Sequence, residues 1–283
     1  MAKNKIVLIT GASAGIGKET ALYLADHGYT VYGAARRSDK MRDLVEKGIR
    51  TIAMDVSDED SINQGFAQLI DREGRIDVLI NNAGFGSYGA VEDVTIPDAK
   101  YQLDVNVFGA ARLIKKVLPY MRAQQSGKIV NISSIGGKIA TPFGGWYHAS
   151  KFALEGLSDS LRNEVKPFGI DVIVIEPGGI KSEWGGIAYD SLIKVSGETA
   201  YKELAGQIAG AFQDTERNNP GPILIAELIL KAIESKKPKA RYSAGYMAKP
   251  VLFMRKILSD SMFDKMTMSQ VRRMSKNKNG IHH

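Results

Sequence analysis

The sequence predicts a single α/β domain in three layers, with a doubly wound, seven-stranded parallel sheet between two layers of helices. Short apolar, β-branched segments alternate with longer amphipathic ones along the 283-residue chain. The apolar segments are continuous, which is typical of strands buried on both faces of a parallel sheet. No repeat, low-complexity block or interdomain linker interrupts this pattern. The length suits one large domain of this class.

The elements follow in order along the chain. Strands are expected at residues 5–10, 30–35, 50–55, 76–81, 128–133, 171–176 and 239–244. Helices are expected at 16–27, 39–46, 58–72, 98–124, 146–165 and from about 223 onwards. Between about 180 and 219 the chain shows no clear periodicity. Right-handed crossovers between such strands place ligands at the carboxyl ends of the sheet.

The composition indicates a cytoplasmic protein without a metal site. The chain has no cysteine, so disulfides and thiolate chemistry are excluded. Its four histidines do not suggest metal ligation. No run approaches the ~20 apolar residues of a membrane span, and a strand-like run from residue 5 leaves no room for a signal peptide.

The net charge of +7 is concentrated at the C-terminal end. Residues 236–283 carry twelve Lys/Arg and two Asp/Glu, which leaves −3 for the rest of the chain. A basic tail fits an anionic partner such as nucleic acid, a lipid surface or an acidic protein. A solvated surface is the simpler interpretation. No nucleic-acid-binding motif is present, so we expect no nucleic-acid partner.

A glycine-rich segment, Thr-Gly-Ala-Ser-Ala-Gly-Ile-Gly at residues 10–17, joins the first strand to the first helix. Its spacing, Gly-x-x-x-Gly-x-Gly, differs from the standard dinucleotide fingerprint. Glycines allow a tight turn, and the helix N-terminus offers N–H groups to a pyrophosphate. The segment therefore predicts dinucleotide binding at Gly11, Ser13, Gly15, Ile16 and Gly17.

Two arginines indicate which dinucleotide is bound. Arg36 and Arg37 follow the second strand, where an acidic residue often holds the adenosine ribose. A guanidinium can bind a 2′-phosphate that a carboxylate would repel, so NADP(H) is favoured over NAD(H); solvated arginines are the alternative. Asp55, beside Val56 at the end of the third strand, either accepts a hydrogen bond from the adenine amino group or caps the helix near residue 58.

Tyr147 and Lys151 lie four positions apart in a predicted helix, so they share one face. Many such pairs contact only water. A free tyrosine has a pKa of about 10, and a nearby ammonium would stabilise the phenolate and ease proton transfer. The pair is therefore a candidate general acid and base.

With Asn81-Asn82-Ala83-Gly84 after the fourth strand, these motifs make residues from about 5 to 244 resemble the short-chain dehydrogenases/reductases. The resemblance implies a Rossmann-like domain, interconversion of carbonyl and alcohol groups, and a homodimer or homotetramer. The family's catalytic residues match Asn106, Ser134, Tyr147 and Lys151. Ser133 competes with Ser134, but counting back from Tyr147 favours Ser134.

The resemblance also implies a role for each of these residues. Ser134 would hydrogen-bond the substrate oxygen, Lys151 would also hold the nicotinamide ribose, and Asn106 would anchor a water-linked proton relay. Further cofactor contacts are expected from Asn82, Ala83, Gly84, Tyr147, Pro177, Gly178, Ile180 and Ser182. Each catalytic residue alone has a structural alternative: Asn106 could bond backbone within its helix, Ser134 could be an ordinary strand-end hydroxyl, and Lys151 a surface charge.

In the family, the segment after the Pro-Gly turn closes over the substrate, here about 180–219. Trp184 and its glycine-flanked apolar neighbours suit a mobile lid, and an apolar lid favours a hydrophobic alcohol or ketone as substrate. Ser134, Tyr147 and Trp184 are the expected substrate contacts. The sequence is similar to the hydroxysteroid and retinol dehydrogenase branches. A 3-oxoacyl-thioester (acyl-carrier-protein) reductase and a non-catalytic NADP-sensing protein are the alternatives.

Residues 1–245 are thus expected to form the cofactor-binding domain, and 246–283 a basic, methionine-rich helical extension. Apolar residues at 251, 254, 257 and 258 form a helical stripe, which favours packing beside the lid. A subunit contact and a weak peripheral contact with an anionic membrane are the alternatives.

Overall fold

A seven-stranded sheet forms the centre of the protein in a computed structural model that describes residues 4–216 and 218–279, without the side chains of 184, 211–216 and 272–279. The strands are β1 (Ile6–Thr10), β2 (Thr30–Ala35), β3 (Arg50–Ala53), β4 (Val78–Asn81), β5 (Gly127–Ile132), β6 (Ile170–Pro177) and β7 (Arg241–Ala244). All neighbours pair in parallel, in the order β3-β2-β1-β4-β5-β6-β7. The predicted fold class is confirmed.

Helices cover both faces of this sheet. They are α1 (Gly15–Asp26), α2 (Arg42–Glu46), α3 (Glu59–Glu73), α4 (Ile96–Leu103), α5 (Gly109–Ala123), α6 (Gly145–Val165), α7 (Trp184–Ser196), α8 (Lys202–Glu216), α9 (Ile223–Glu234), α10 (Ala248–Ile257) and α11 (Asp260–Asn279). On one face, Leu8 of β1 packs in a core cluster with residues of α3, α5 and α6. On the other, Val7 and Ile9 pack with residues of α1, α2 and α9. Alternate residues of a buried strand thus serve opposite layers.

The strand order reverses between β1 and β4, and hydrogen bonds join the two strand ends at this switch point. The Asn82 side chain donates from Nδ2 to the carbonyl oxygen of Thr10 at 3.0 Å. The backbone N–H groups of Asn82 and Ala83 donate to Thr10 Oγ1 at 3.1 and 3.0 Å. A ligand crevice opens at such a point in a doubly wound sheet.

The predicted helix at 98–124 is not continuous. A π-helical turn at Asp104–Phe108 separates α4 from α5 and contains buried Asn106. The wider turn inserts an extra residue into the helical ladder, a feature frequent at functional sites. Sequence periodicity does not reveal it, because α4 and α5 each keep their own apolar face.

The segment 180–219, which lacked clear periodicity, contains the two helices α7 and α8. Buried Ala188, Leu192, Ala205 and Ile208 pack in one cluster that also contains Tyr147. Apolar residues lie on several sides of these two helices, so the sequence does not show the 3.6-residue hydrophobic period of an amphipathic helix.

The C-terminal extension is helical and contacts the lid helices. α11 packs against α8, and Val271 belongs to the cluster that contains Tyr147. α10 is only partly covered: residues 251, 254 and 258 are half-buried, whereas Phe253 and Ile257 are about 60% exposed. The predicted stripe therefore fails at Ile257. Across the described ranges, no helix combines the length and hydropathy needed to cross a bilayer.

Candidate active site

The glycine-rich loop makes a tight turn between β1 and α1. Gly11 and Gly15 have φ of +67° and +54°, a region that side chains rarely adopt. A Cβ on Gly17 would lie 2.4 Å from the carbonyl oxygen of Gly11, so only glycine fits there. Ile16 packs against the core, and α1 begins without a side-chain cap or an acidic residue in its first turn. This chemistry fits a pyrophosphate, because backbone N–H groups face no competing carboxylate.

Arg36 lies at the end of β2 beside the expected adenosine pocket. Its Nη1 donates to the Tyr101 hydroxyl and lies 3.8 Å from Asp55 Oδ2. Asp55 accepts hydrogen bonds from the N–H and hydroxyl of Ser57, at 2.9 and 2.7 Å. The cap of α3 is Asp58, whose side chain accepts from two N–H groups of the first turn. Helix capping is therefore not the role of Asp55.

Arg37 contacts both the glycine-rich loop and Glu183, the residue before α7. Its Nη2 lies 3.4 Å from Ser13 Oγ and 3.3 Å from Glu183 Oε2, and Lys40 Nζ lies 4.0 Å from the same carboxylate. Both arginine side chains are about half exposed. Two guanidinium groups at one edge of the loop fit a phosphorylated ribose.

The segment after β4 lies between the glycine-rich loop and the expected catalytic residues Asn106 and Lys151. A Cβ on Gly84 would lie 3.1 Å from Asn106 Oδ1 and 3.7 Å from Lys151 Nζ. Asn82 and Ala83 are bound to β1, as described above. Val56 is buried, and its backbone oxygen accepts a hydrogen bond from Arg112. These residues border one crevice at the carboxyl ends of the strands.

Asn106 ties three segments together. Its Nδ2 donates to the carbonyl oxygen of Phe85 at 2.9 Å and to Ser150 Oγ at 3.0 Å, and its Oδ1 accepts from the N–H of Phe85 at 3.0 Å. The amide therefore bonds a distant loop and helix α6. The simple alternative, a backbone bond within its own helix, is wrong.

Tyr147 lies buried in α6, with 7% of its surface exposed. Burial raises the pKa of its phenol to about 12, and a hydrogen bond with Ser134 acts in the opposite direction. The lowered pKa expected from the sequence is thus not found, because desolvation outweighs the neighbouring groups. At neutral pH the hydroxyl keeps its proton.

Ser134 starts the 3-10 turn Ile135–Gly137 that follows β5. Its Oγ accepts a hydrogen bond from the N–H of Gly136 at 3.0 Å and lies 3.5 Å from the carbonyl oxygen of Pro177. Ser133 points elsewhere, and within the described chain its buried Oγ has no hydrogen-bond partner. Of the two candidate serines, only Ser134 contacts the Tyr147 hydroxyl.

Lys151 is buried one helical turn after Tyr147. Its Nζ donates to the carbonyl oxygen of Ile132 at 2.9 Å and lies 5.9 Å from the centroid of the Tyr147 ring. Burial lowers the pKa of Lys151 to about 8, and the charge of Glu155 opposes this effect. The surface-charge alternative for Lys151 is therefore wrong.

The turn after β6 packs against the beginning of the C-terminal extension. The N–H of Gly178 donates to Ala244 O at 2.8 Å, and a Cβ on Gly178 would lie 2.3 Å from Tyr246 O. Ile180 packs on the core, and Ser182 Cβ lies 3.4 Å from where Gly15 would carry a Cβ. The segment expected to form the lid therefore starts directly over the glycine-rich loop. The Trp184 side chain lies outside the described residues.

Three polar residues of α6 did not figure among the predicted site residues. Ser150 holds Asn106, and Glu155 lies beside Lys151. His148 Nε2 accepts from the Thr141 N–H at 3.0 Å, so its Nδ1 donates to Gly136 O at 2.9 Å, fixing the segment after Ser134. Glu155 could have been found from its spacing, because polar residues recur at 147, 151 and 155 on one face of α6, and that face is buried.

The comparisons with known proteins identify the family. The sequence profile of the short chain dehydrogenases matches residues 5–188. The 3-ketodihydrosphingosine reductase of Bacteroides thetaiotaomicron is 40% identical over 250 residues, covering 88% of this chain and 90% of that protein. The NADPH-dependent 3-dehydrocapnine reductase of Ornithobacterium rhinotracheale is 30% identical over 96% of this chain and 99% of that one.

A solved structure supports the same assignment. A short-chain dehydrogenase from Streptomyces avermitilis superimposes with a TM-score of 0.78 at 32% identity, covering 98% of this chain and 99% of that one. The chain belongs to the short-chain dehydrogenase family, and it is an oxidoreductase of the carbonyl/alcohol type.

Proposed function

We propose that the protein reduces the carbonyl group of a lipophilic substrate with NADPH and catalyses the reverse oxidation of the alcohol. The observation that carries this proposal is the buried Tyr147 hydroxyl, hydrogen-bonded to Ser134 with Lys151 one turn away. These three groups lie at the carboxyl ends of the strands, where the glycine-rich loop also ends. A protonated phenol beside a hydroxyl donor suits the addition of a proton to an oxygen.

Each catalytic side chain has one assigned task. NADPH, when bound, supplies the hydride that is added to the carbonyl carbon. Ser134 donates a hydrogen bond to the substrate oxygen as charge develops on it, and Tyr147 donates the proton that completes the alcohol. Lys151 stabilises the resulting phenolate and would hold the nicotinamide ribose when the cofactor is bound. We assign to Asn106 the anchoring of the path by which a proton returns to Tyr147.

The protein uses NADP(H). The uncapped N-terminus of α1 and the turn at residues 11–17 suit the pyrophosphate, and Arg36 and Arg37 suit the 2′-phosphate. Oδ2 of Asp55, which lies 3.8 Å from Arg36 Nη1, is the oxygen we assign to accepting a hydrogen bond from the adenine amino group. The relative from Ornithobacterium is described as NADPH-dependent.

The surroundings of Tyr147 support an apolar substrate. Tyr88, Phe143 and Leu192 pack in the cluster that contains Tyr147, and the lid helices and Val271 complete it. Both named relatives are reductases of keto or dehydro compounds. The complete set of catalytic side chains argues against a sensor without catalysis. An acyl-thioester reductase would need the basic tail as a docking surface for its carrier.

The exposed apolar side chains support two further proposals. Phe108, Phe152 and Phe168 lie exposed near or on α5 and α6, which suits a homodimer or homotetramer. Phe253 and Ile257 lie exposed beside the basic residues of α10, which suits a weak contact with an anionic membrane. The cytoplasmic location expected from the composition stays a prediction.

The direct test is an NADPH-oxidation screen of the purified protein against steroid, retinoid, acyl-thioester and simple aldehyde panels. The proposal expects the highest kcat/KM with a bulky apolar ketone and at least tenfold less with the thioesters. NADPH binding without turnover on any panel would favour the sensor. A preference for thioesters would favour the acyl-carrier reductase.

A further inference from the structure

A buried group of charged side chains lies behind the catalytic residues. Glu155 of α6 is 3% exposed, and its Oε2 accepts from Lys138 Nζ at 2.8 Å and from Arg241 Nε at 3.0 Å. Arg241, at the start of β7, also binds both carboxylate oxygens of Asp159 at 2.7 Å. Its Nε lies 3.4 Å from Oε1 of Glu176, the buried residue before Pro177.

This group of charges packs directly on the catalytic turn. The point where Gly137 would carry a Cβ lies 2.7 Å from Ser133 Oγ, 3.0 Å from Glu155 Cγ and 3.2 Å from Lys151 O. Lys138, which binds Glu155, belongs to the same segment as Ser134. The titratable groups around Lys151 and Glu155 come from four elements and the catalytic turn: Tyr147 and Asp159 of α6, Lys138 of the turn, Glu176 of β6, Arg241 of β7 and Lys256 of α10. Of these, Asp159 contacts Arg241, and the charge of Lys256 acts on Glu176.

Among the described residues, three buried oxygen atoms in or beside this group of charges lack hydrogen-bond partners, which lowers the stability of the fold. Over the described ranges, Oε1 of Glu155, Oε1 of Glu176 and Oγ of Ser133 are buried without a hydrogen-bond partner. Buried polar atoms without partners are unfavourable by about 1–3 kcal/mol each. An apolar residue at position 155 would leave Lys138 and Arg241 without this partner, so the ion pairs account for Oε2 of Glu155 but not for its unpartnered Oε1.

We propose that Glu155 is a positioning residue of the active site: its carboxylate, held by Lys138 and Arg241, keeps the buried ammonium of Lys151 charged beside Tyr147. Glu155 lies four residues after Lys151, on the same face of the helix. Its charge opposes the burial that depresses the pKa of Lys151. Since the proposed function needs the charged ammonium, this inference rests on that function.

The carboxylate sets the upper pH limit of activity. With the pKa of Lys151 at about 8, the ammonium is charged in acid and at neutral pH and loses its proton as the pH rises above 8. Glu155→Gln removes the opposing charge, and we expect the pKa of Lys151 to fall by about one unit. Lys138→Gln removes a neighbouring cation, and we expect the pKa to rise by about half a unit. A purely structural role for Glu155 would not give shifts of opposite sign.

The test is an NMR titration of the Lys151 ¹³Cε signal, assigned by its absence in Lys151→Arg. It needs neither substrate nor cofactor, so it decides the role of Glu155 even if the proposed activity fails. The matched control is Asp159→Asn. Asp159 is a carboxylate on the same helix and binds the same Arg241, but it lies two turns from Lys151. In this control we expect the pKa of Lys151 to stay within about 0.3 units of its wild-type value, whereas the loss of a nearby charge would shift it by about one unit.

The pH profile of turnover gives the second measurement. Glu155→Gln is expected to lose about fivefold in kcat at pH 8, where the charged fraction falls from half to about a tenth, and almost nothing at pH 6. An unshifted Lys151 titration in Glu155→Gln, an equal shift in Asp159→Asn, or a loss of kcat that is equal at both pH values would overturn the inference.

Discussion

Replacing Tyr147 by phenylalanine tests the chemistry most directly, because it removes one oxygen and leaves the ring in place. The ring is buried against Tyr88, with a centroid distance of 5.9 Å, and that packing is kept. The hydrogen bond with Ser134 is lost, which costs about 0.5–1.5 kcal/mol of stability. General acid catalysis contributes about 10²–10⁴-fold, so kcat should fall by that factor, a barrier increase of about 3–5 kcal/mol.

The assay is steady-state NADPH oxidation with the best ketone of the screen, together with NADPH binding followed by fluorescence. We expect the Kd for NADPH to stay within about twofold of the wild type, since the hydroxyl is not assigned to phosphate binding. The matched control is Tyr29→Phe. Tyr29 is also buried, and burial also raises its pKa to about 12, but it precedes β2 at the far end of the sheet. A Tyr147→Phe enzyme within tenfold of the wild type would refute the assignment of Tyr147 as the proton donor.

Four other variants test the cofactor site, the tail, the turn after β6 and helix α7. Replacing Arg36 and Arg37 by alanine should weaken NADPH binding by about 10–100-fold, from the loss of charge-assisted hydrogen bonds; an equal loss for NADH would exclude recognition of the 2′-phosphate. Ending the chain at Ser259 removes α11 and should raise KM for bulky apolar substrates without changing NADPH affinity; unchanged kinetics with lost binding to anionic vesicles would assign α11 to the membrane instead. Gly178→Ala should destabilise by about 1–3 kcal/mol, because its Cβ would overlap backbone, whereas Gly186→Ala, with no atom within 4 Å, should raise the melting temperature.

The sheet and the position of the site could be predicted from the sequence because they depend on local patterns. Continuous apolar runs gave the strands within a few residues, and the glycines at 11, 15 and 17 marked the crevice. The pairing of Tyr147 with Lys151 could be predicted because four-residue spacing in a helix is enough to bring the two side chains together. Helix α6 begins one residue before the expected position and ends where expected.

Other features depend on contacts between distant segments, which periodicity does not encode. The sign of the Tyr147 pKa shift follows from burial under α7, α8 and α11, helices that lie far along the chain. The partner of Asn106 is a loop 21 residues away. The ion pairs of Glu155 are not evident from the sequence either, since its partner Arg241 follows 86 residues later.

The junction between β1 and β4 has a consequence for the way the site comes into being. The carbonyl and hydroxyl oxygens of Thr10 accept hydrogen bonds from Asn82, which lies 72 residues later in the chain. On the ribosome, the glycine-rich loop is made first, but the strand that fixes one side of it follows only after β2, α2, β3 and α3 have been synthesised. Contacts between residues so far apart in sequence form slowly, because the intervening segment must first be closed into a loop. We therefore expect fragments that end before residue 82 to bind the dinucleotide weakly, because they lack the hydrogen bonds from Asn82 and Ala83 that hold the start of the glycine-rich loop.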